Sequence, residues 1–275
     1  MRVALAYSLN DPVGTRVSRM LREVLGGREA SCPPAVECFK LNHTMMGGFR
    51  EDVVELEMLD EAPDPGAEAV IVLSRHRAES GRKSLTVHHT GNPTRSTYGG
   101  EPERLARSYP ALSKLLLKVY REIAVDRGIA GEYDVVLEAT HHGPTRPLKP
   151  IIFIEVGSTP SEWSDERALK AMADTVVHVI DSKPPECLPA AGFGGTHYPA
   201  KFTKIHLEGG YCMGHIIPKY AFASGVGEEV LRQAILNTYP APAAKALIEK
   251  KSLKGRHREA ITRVMESLGV EVERV

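Results

Sequence analysis

Short apolar runs alternate with longer amphipathic stretches along most of the chain. Arg2–Tyr7 is an apolar run that reads as a buried first strand. Pro12 suits the first turn of a helix in which Val13, Val17, Met20, Leu21 and Val24 recur at helical spacing until Gly26-Gly27. Val36–Leu41 predicts a second strand, Ala69–Ser74 a strongly buried one, and Ser84–His89 another that ends in two histidines. Leu112, Leu115, Leu116, Val119 and Ile123 form the stripe of a helix within residues 103–127, whose first part Pro110 splits or kinks. Tyr133–Thr140 predicts a strand running into His141-His142-Gly143-Pro144, and Ile151–Val156 one running into Gly157-Ser158-Thr159-Pro160. A helix follows, with Leu169, Met172, Val176 and Ile180 inward, Ser161 or Ser164 as its cap, and Asp165 and Glu166 at its positive end. Thr203–Leu207 and Tyr211–Ile217 read as strands joined at Gly209-Gly210. Ile261, Val264, Met265 and Leu268 mark a last helix stopped by Gly269, and Val270 and Val272 a short final strand.

Buried strands alternating with helices predict an α/β sheet covered on both faces. Residues 184–220 break the alternation. They are rich in Gly, Pro and His and too long for an ordinary connection, so they read as a functional insertion in a single domain spanning 1–275. Residues 51–68 carry eight acids and no base and read as a solvated acidic face.

The 275 residues are 42% hydrophobic and 25% charged, with 35 Lys+Arg against 35 Asp+Glu. That balance suits one globular fold and argues against a disordered or strongly basic nucleic-acid-coating protein. No apolar run approaches the roughly 18–20 residues that span a bilayer. The N-terminal apolar stretch is too short for a signal peptide. Cys32, Cys38, Cys187 and Cys212 form no Cys-x-x-Cys pair. We therefore expect reduced thiols in a cytoplasmic protein.

Histidine carries the candidate chemistry. Eight of the eleven histidines lie between residues 88 and 215. Ligands of open α/β sheets bind beyond the carboxyl ends of the strands. His88-His89, His141-His142 and Glu155 would converge there if their strands are parallel neighbours. Adjacent residues on a strand point to opposite faces, so at most one of each pair enters a given site. Gly194-Gly195-Thr196-His197, His206 and His215 add to the cluster, and the paired glycines let backbone approach a ligand. The sequence has no His-Glu-x-x-His, no Gly-x-Ser-x-Gly, no phosphate-binding Gly-x-x-x-x-Gly-Lys-Ser/Thr and no Gly-x-Gly-x-x-Gly after the first strand. What remains is activation of water, by an imidazole that a carboxylate such as Glu155 orients or by zinc held on imidazoles and a carboxylate.

The ordered motifs are Val-Ala-Leu-Ala-Tyr-Ser-Leu-Asn-Asp-Pro (3–12) with Gly14, His88-His89-Thr90-Gly91-Asn92, Thr140-His141-His142-Gly143-Pro144-Thr145, Phe153-Ile154-Glu155-Val156-Gly157-Ser158-Thr159, Gly194-Gly195-Thr196-His197-Tyr198-Pro199 and Gly214-His215-Ile216-Ile217-Pro218-Lys219-Tyr220-Ala221. Together, over roughly residues 1–225, they resemble the archaeal and plant-type D-aminoacyl-tRNA deacylase family. The resemblance implies a three-layer α/β/α fold of the phosphorylase/hydrolase-like class with a mostly parallel, mixed sheet, similar to peptidyl-tRNA hydrolase. It implies a zinc-dependent enzyme that hydrolyses the ester of D-aminoacyl-tRNA and releases free tRNA and the D-amino acid. On that reading His142, Glu155 and His197 are the catalytic candidates, and His89, His141, His206 and His215 the Zn2+ ligand candidates. Gly194, Gly195, Thr159 and Lys219 are the substrate-binding candidates, with the Gly194-Gly195 amides stabilising the oxyanion. A zinc hydrolase of small esters or amides without tRNA, and a non-catalytic RNA- or nucleotide-binding module, remain alternatives.

The zero net charge is unevenly distributed along the chain. Residues 75–121 hold ten bases against three acids, and residues 245–258 six bases against one acid. Lys250, Lys251 and Lys254 of the second run are the tRNA-binding candidates. We expect aminoacyl-tRNA as partner, no stable protein partner and a monomer.

Overall fold

A computed structural model describes residues 1–79 and 81–275. In chain order its first half builds β1 (Val3–Ser8), α1 (Pro12–Leu25), β2 (Arg28–Glu29), β3 (Glu37–Leu41), β4 (Thr44–Phe49), β5 (Ala69–Arg77), β6 (Ser84–His89), β7 (Gly91–Asn92), β8 (Arg104–Leu105) and α2 (Pro110–Asp126). The second half builds β9 (Asp134–Leu137), β10 (Ile151–Ser158), α3 (Glu166–Ile180), β11 (Leu188–Phe193), α4 (Ala200–Glu208), β12 (Tyr211–Ile217), α5 (Lys219–Ser224), α6 (Glu228–Leu236), β13 (Lys245–Ile248), α7 (Gly255–Ser267) and β14 (Glu271–Arg274). The result is a three-layer α/β architecture about a mixed, mostly parallel sheet.

The main sheet runs β2-β3-β4-β1-β5-β10-β6-β9. Strands β4, β1, β5 and β10 are parallel neighbours, β6 runs antiparallel to β10, and β9 runs parallel to β6. Period-two alternation splits the strands cleanly. Leu5, Ile71, Ile152, Ile154 and Val87 pack under α1, α2 and α3. Ala4, Ala6, Val70, Val72 and Phe153 face the opposite way, against Val53, Leu59 and Ala67 of the 51–68 segment. A second sheet, β12-β11-β13-β14, is wholly parallel. Its Ala190, Met213 and Leu247 join the first core through α2 and α4, while Phe193, Ile217 and Ile248 pack with α6 and α7. Helix α2 therefore touches both sheets.

Several expectations need correcting. Thr203–Leu207 is not a strand but lies inside α4, where Phe202, Thr203 and His206 are buried at helical spacing. Asp165, not Ser161 or Ser164, caps α3, its carboxylate accepting from the Arg167 N–H. Residues 184–220, read as a functional insertion, form β11, α4 and β12 and so supply half of the second sheet. The acids of 51–68 are not simply solvated: Glu57 accepts from the Thr145 and Arg146 amides, and Asp60 from those of Leu148 and Lys149. The segment is a clamp on the 145–149 loop. The thiols are not free. Cys32 is bonded to Cys38 and Cys187 to Cys212, because the fold makes close neighbours of positions whose spacing shows no motif. Among the described residues no helix is long and apolar enough to cross a membrane.

Three histidines lie in the seam between the sheets. His89 leaves β6 on the helix-facing side, and its ring centroid is 6.0 Å from that of His215 on β12. The His215 Nε2–H donates to the Ala106 carbonyl (2.9 Å), and its Nδ1 accepts from the Thr140 hydroxyl (3.1 Å). The His206 Nδ1 accepts from the Met213 N–H at 2.8 Å. Burial disfavours the charged form of each: His206 is lowered to about 3, His215 to about 4, and His89 well below the usual range. Histidine in the unfolded chain titrates near 6.5, so below that pH the unfolded state binds more protons than the folded one. The stability at stake is complete above pH ~6.5 and is lost as pH falls, by up to about 1.4 kcal/mol per pH unit for each ring. In urea titrations between pH 6.5 and 5, wild type should lose stability faster than His206→Asn, which keeps the acceptor and removes the titration. Equal slopes would show that His206 is not held neutral.

Candidate active site

The antiparallel β10–β6 pairing decides where the chemistry lies. Ser74 of β5, Glu155 of β10 and Thr86 of β6 are register partners, as are His76, Gly157 and Ser84, and Val72, Phe153 and His88. All project from the face away from the helices, and Glu138, just beyond β9, projects the same way. The 51–68 segment covers only the lower part of this face. Over the rest the protein leaves a cleft of about 220 Å³ lined by His76, His141, His142, Phe153, Glu155 and His197, with Arg75, Arg77, Asp52 and Tyr98 among the residues at its sides. The site thus lies across a sheet face, not at the common carboxyl rim that a parallel β6 would have made.

Glu155 and Glu138, both buried, are its centre. His76 Nδ1 is 3.2 Å from Glu155 Oε2 and 3.1 Å from Glu138 Oε1, so one imidazole bridges two carboxylates. His88 Nε2 is 3.7 Å from Glu155, and His141 Nε2 and His197 Nε2 are 3.6 and 2.7 Å from Glu138 Oε2. None of the nitrogens around Glu138 meets hydrogen-bond geometry, and both its buried oxygens are left without a hydrogen bond. A buried carboxylate in that condition is costly unless something else binds it.

The tautomers are set from behind. The Nδ1 of His88 contacts the His89 carbonyl (3.2 Å), that of His141 the Ala139 carbonyl (2.8 Å), and that of His142 the Gly143 carbonyl (2.7 Å). A carbonyl only accepts, so each Nδ1 carries a proton, and each Nε2 presents a lone pair whenever its ring is neutral. His142 is held in the left-handed region (φ +45), and its own carbonyl accepts from the Gly91 N–H at 2.7 Å. Strain of that kind persists where the surroundings over-determine it.

Burial works against charge throughout, and the neighbours decide the outcome. For His76, burial is outweighed by the two carboxylates, which raise it to about 9. The same opposition raises His88. His142 is lowered to about 4 by burial and by His88, and His141 is lowered further for the same reasons. Against burial, the imidazoles hold both carboxyl groups below their usual range, His197 foremost for Glu138 and His76 foremost for Glu155.

Of the sequence candidates, His142, Glu155, His197 and His141 come together here. His89, His206 and His215 do not: they lie in the seam on the helix side. Alternation on β6 admits His88 and turns His89 away. Gly194 and Gly195 cannot offer amides to an oxyanion, because their N–H groups already donate to the Ile217 carbonyl and to the Ser252 hydroxyl. Thr159 gives its hydroxyl and amide to Glu162, and exposed Lys219 lies at the start of α5; neither lines the cleft. Lys250, Lys251 and Lys254 are exposed at the foot of α7. His76 and Glu138 are missing from the candidates, and of the pair His88-His89 it is His88, not the proposed ligand His89, that faces the cleft side. β5 continues past Ser74, so Val72-x-Ser74-x-His76 carried the signal, as did a lone Glu closing the apolar run Val135-Val136-Leu137.

The sequence profile of the family described as D-aminoacyl-tRNA deacylase matches residues 64–273. The chain is 53% identical over 277 residues to the D-aminoacyl-tRNA deacylase of Aeropyrum pernix, covering 99% of both. It is 45% identical over 241 residues to that of Hyperthermus butylicus, covering 86% of this chain and 88% of the relative. It is 37% identical over 271 residues to that of Staphylothermus marinus, covering 98% of each. A crystal structure of a conserved protein of unknown function superposes with a TM-score of 0.91 at 28% identity, covering 99% of this chain and 95% of that one.

Gly157 makes room for the bridging imidazole. A Cβ there would stand 2.6 Å from His76 Cβ and 2.9 Å from the His76 carbonyl oxygen. Gly157→Ala should therefore fold but displace His76 from Glu155 and lower kcat by at least about tenfold, the usual cost of a misplaced catalytic group. Wild-type kcat in a folded variant would remove His76 from the working site.

Proposed function

The chain belongs to the D-aminoacyl-tRNA deacylase family and hydrolyses the ester between a D-amino acid and tRNA, and we propose that it does so on the histidine-lined face around Glu138 and Glu155. One observation carries this reading. Three imidazoles, His88, His141 and His142, have Nδ1 tied to backbone carbonyls and Nε2 free, beside two buried carboxylates, and one ring nitrogen from each lies within 4.8 Å of the others.

That set fits a zinc ion. Metal-bound histidines characteristically donate the other ring N–H to a carbonyl or carboxylate, and three nitrogens with an open fourth position are a catalytic rather than a structural arrangement. Zinc held by His88, His141 and His142 would supply a water of lowered pKa. His89, His206 and His215 do not suit that role, since His215 has spent both nitrogens and His206 its Nδ1. The chain's own groups do the rest. Glu138, with both oxygens free of hydrogen bonds, takes the proton from the attacking water. His197, 2.7 Å away and at the cleft edge, passes a proton to the ribose oxygen as the C–O bond breaks. Glu155 keeps His76 in place as a cation facing the developing charge. Chirality is read sterically, by the space left between Phe153 and Val54. The reaction belongs in the cytoplasm, where charged tRNA is found.

The test compares matched D- and L-aminoacyl-tRNA, with and without a chelator. D-aminoacyl-tRNA should be cleaved far faster, chelation should abolish turnover, and Glu138→Gln and His142→Ala should each lower kcat on the order of 10²-fold or more. Undiminished turnover in both variants would place the chemistry elsewhere.

We also assign tRNA contact to Lys250, Lys251 and Lys254. Within 245–258, Lys245 is paired with Glu271, and Arg258 donates to the Lys250 and Leu253 carbonyls, which leaves these three exposed lysines with Arg256 as the outward charge. Changing all three to Glu should weaken tRNA binding and flatten its salt dependence by about three phosphate contacts. Affinity and salt slope like those of wild type would show the lysines are only solvated.

A further inference from the structure

The basic stretch 75–121 is largely consumed within the fold. Arg75 faces Asp11, Arg82 pairs with Asp134, Lys83 with Glu132, Arg95 with Glu103 and Arg104 with Glu101. Lys114 is buried and donates to the Gly209 and Tyr211 carbonyls. The Arg77 side chain has neither a hydrogen bond nor an ion pair among the described residues, is exposed, and lines the cleft.

Tyr98 stands on the same cleft with 63% of its surface exposed. Exposed tyrosines are common, but this one is presented on pinned backbone. Its carbonyl accepts from the Gly143 N–H at 3.0 Å. The next carbonyl, that of Gly99, accepts from the Asn92 side chain at 2.7 Å. Gly99 (φ +66) and Gly143 press so closely on the Val54 carbonyl that a Cβ at either would stand 2.2 or 2.4 Å from it. Pinned backbone beneath a large, solvated ring is the build of a binding platform, because part of the ordering cost of contact is already met. The ring lies 6.1 Å from that of His142, edge to face, at the rim of the reacting groups. Asp52, Glu55, Arg75 and Arg77 are the charges that face its hydroxyl. The two carboxylates repel phosphate, and Arg75 is engaged, so Arg77 is the cation left for an anion.

We propose that Tyr98 and Arg77 form a nucleotide subsite at the cleft mouth, in which the Tyr98 ring stacks on the terminal base of the tRNA and the Arg77 guanidinium holds the phosphodiester next to it. An aromatic face with an adjacent cation is how single-stranded RNA is held without reading its sequence. The identity of the base rests on the deacylase reading, since the ester lies on the terminal ribose; the stacking and the charge do not.

Two measurements test it. With D-aminoacyl-tRNA, Tyr98→Ala should raise KM on the order of tenfold, the scale of one lost base stack, with kcat kept within about twofold. Tyr98→Phe should stay near wild type, and Arg77→Ala should raise KM in a way that fades at high salt. Binding of a short single-stranded RNA ending in adenosine, measured by calorimetry, should weaken in parallel for Tyr98→Ala and not for Tyr98→Phe. Unchanged KM and RNA binding in Tyr98→Ala would overturn the subsite, and so would a loss confined to kcat. A wild type that binds the RNA in a Tyr98-dependent way but leaves D-aminoacyl-tRNA intact would overturn the assigned reaction and leave the subsite standing.

Discussion

Two carboxylates, Glu138 and Glu155, are buried side by side on one sheet face, and the fold around them is arranged to hold their charge. An isolated carboxylate in such a place costs several kcal/mol, and a second one beside it costs more. The chain meets that cost with five imidazoles, delivered from β5, β6, the segment after β9 and the turn after β11. Each delivery demands something of the local fold. The glycine at 157 yields its Cβ volume to His76, residue 142 accepts a left-handed backbone, and the acids of 51–68 tie down the 145–149 loop that follows His141 and His142.

The reversal of β6 is what brings these groups together. Had β6 run parallel to β10, its histidine pair would have stood at the same end as the carboxyl terminus of β10. Running the other way, it sets His88 opposite Phe153 and beneath Glu155, deep on the face. β9 then follows β6, and the chain beyond it climbs back across the cleft to place Glu138, His141 and His142. The other member of each strand alternation is not wasted. His89, turned to the helix side, packs with His215 in the seam that fastens the second sheet to the first.

Much of this was legible in the residues. Most of the buried strands and the helical stripes sit where hydrophobic periodicity puts them, Thr203–Leu207 excepted, and four of the site's residues come from the compact His and Gly motifs. The errors have physical origins. Direction within a sheet leaves no trace in periodicity, so a rim was expected where a face exists. The alternation rule said that one of His88 and His89 would enter, but not which, because that depends on which side the helices cover. In sequence Glu138 looks like an ordinary strand-end acid, and His76 lies beyond Ser74, where the predicted strand stops three residues short of the end of β5. Cysteine spacing could not reveal the cystines, since partners 25 residues apart in sequence meet only once β11 and β12 pair.

That last cystine has a topological meaning for the histidine-lined face. Cys187 precedes β11, Cys212 lies in β12, and His197, the imidazole nearest Glu138, is carried on the chain between them. The residue that reaches from the second sheet into the cleft of the first therefore belongs to a closed covalent ring. Closing a ring of that size removes disorder from the unfolded chain worth about 3 kcal/mol in the chain-entropy picture. Even when the second sheet loosens from the first, the segment bearing His197 has little freedom to wander and a short way back to its carboxylate.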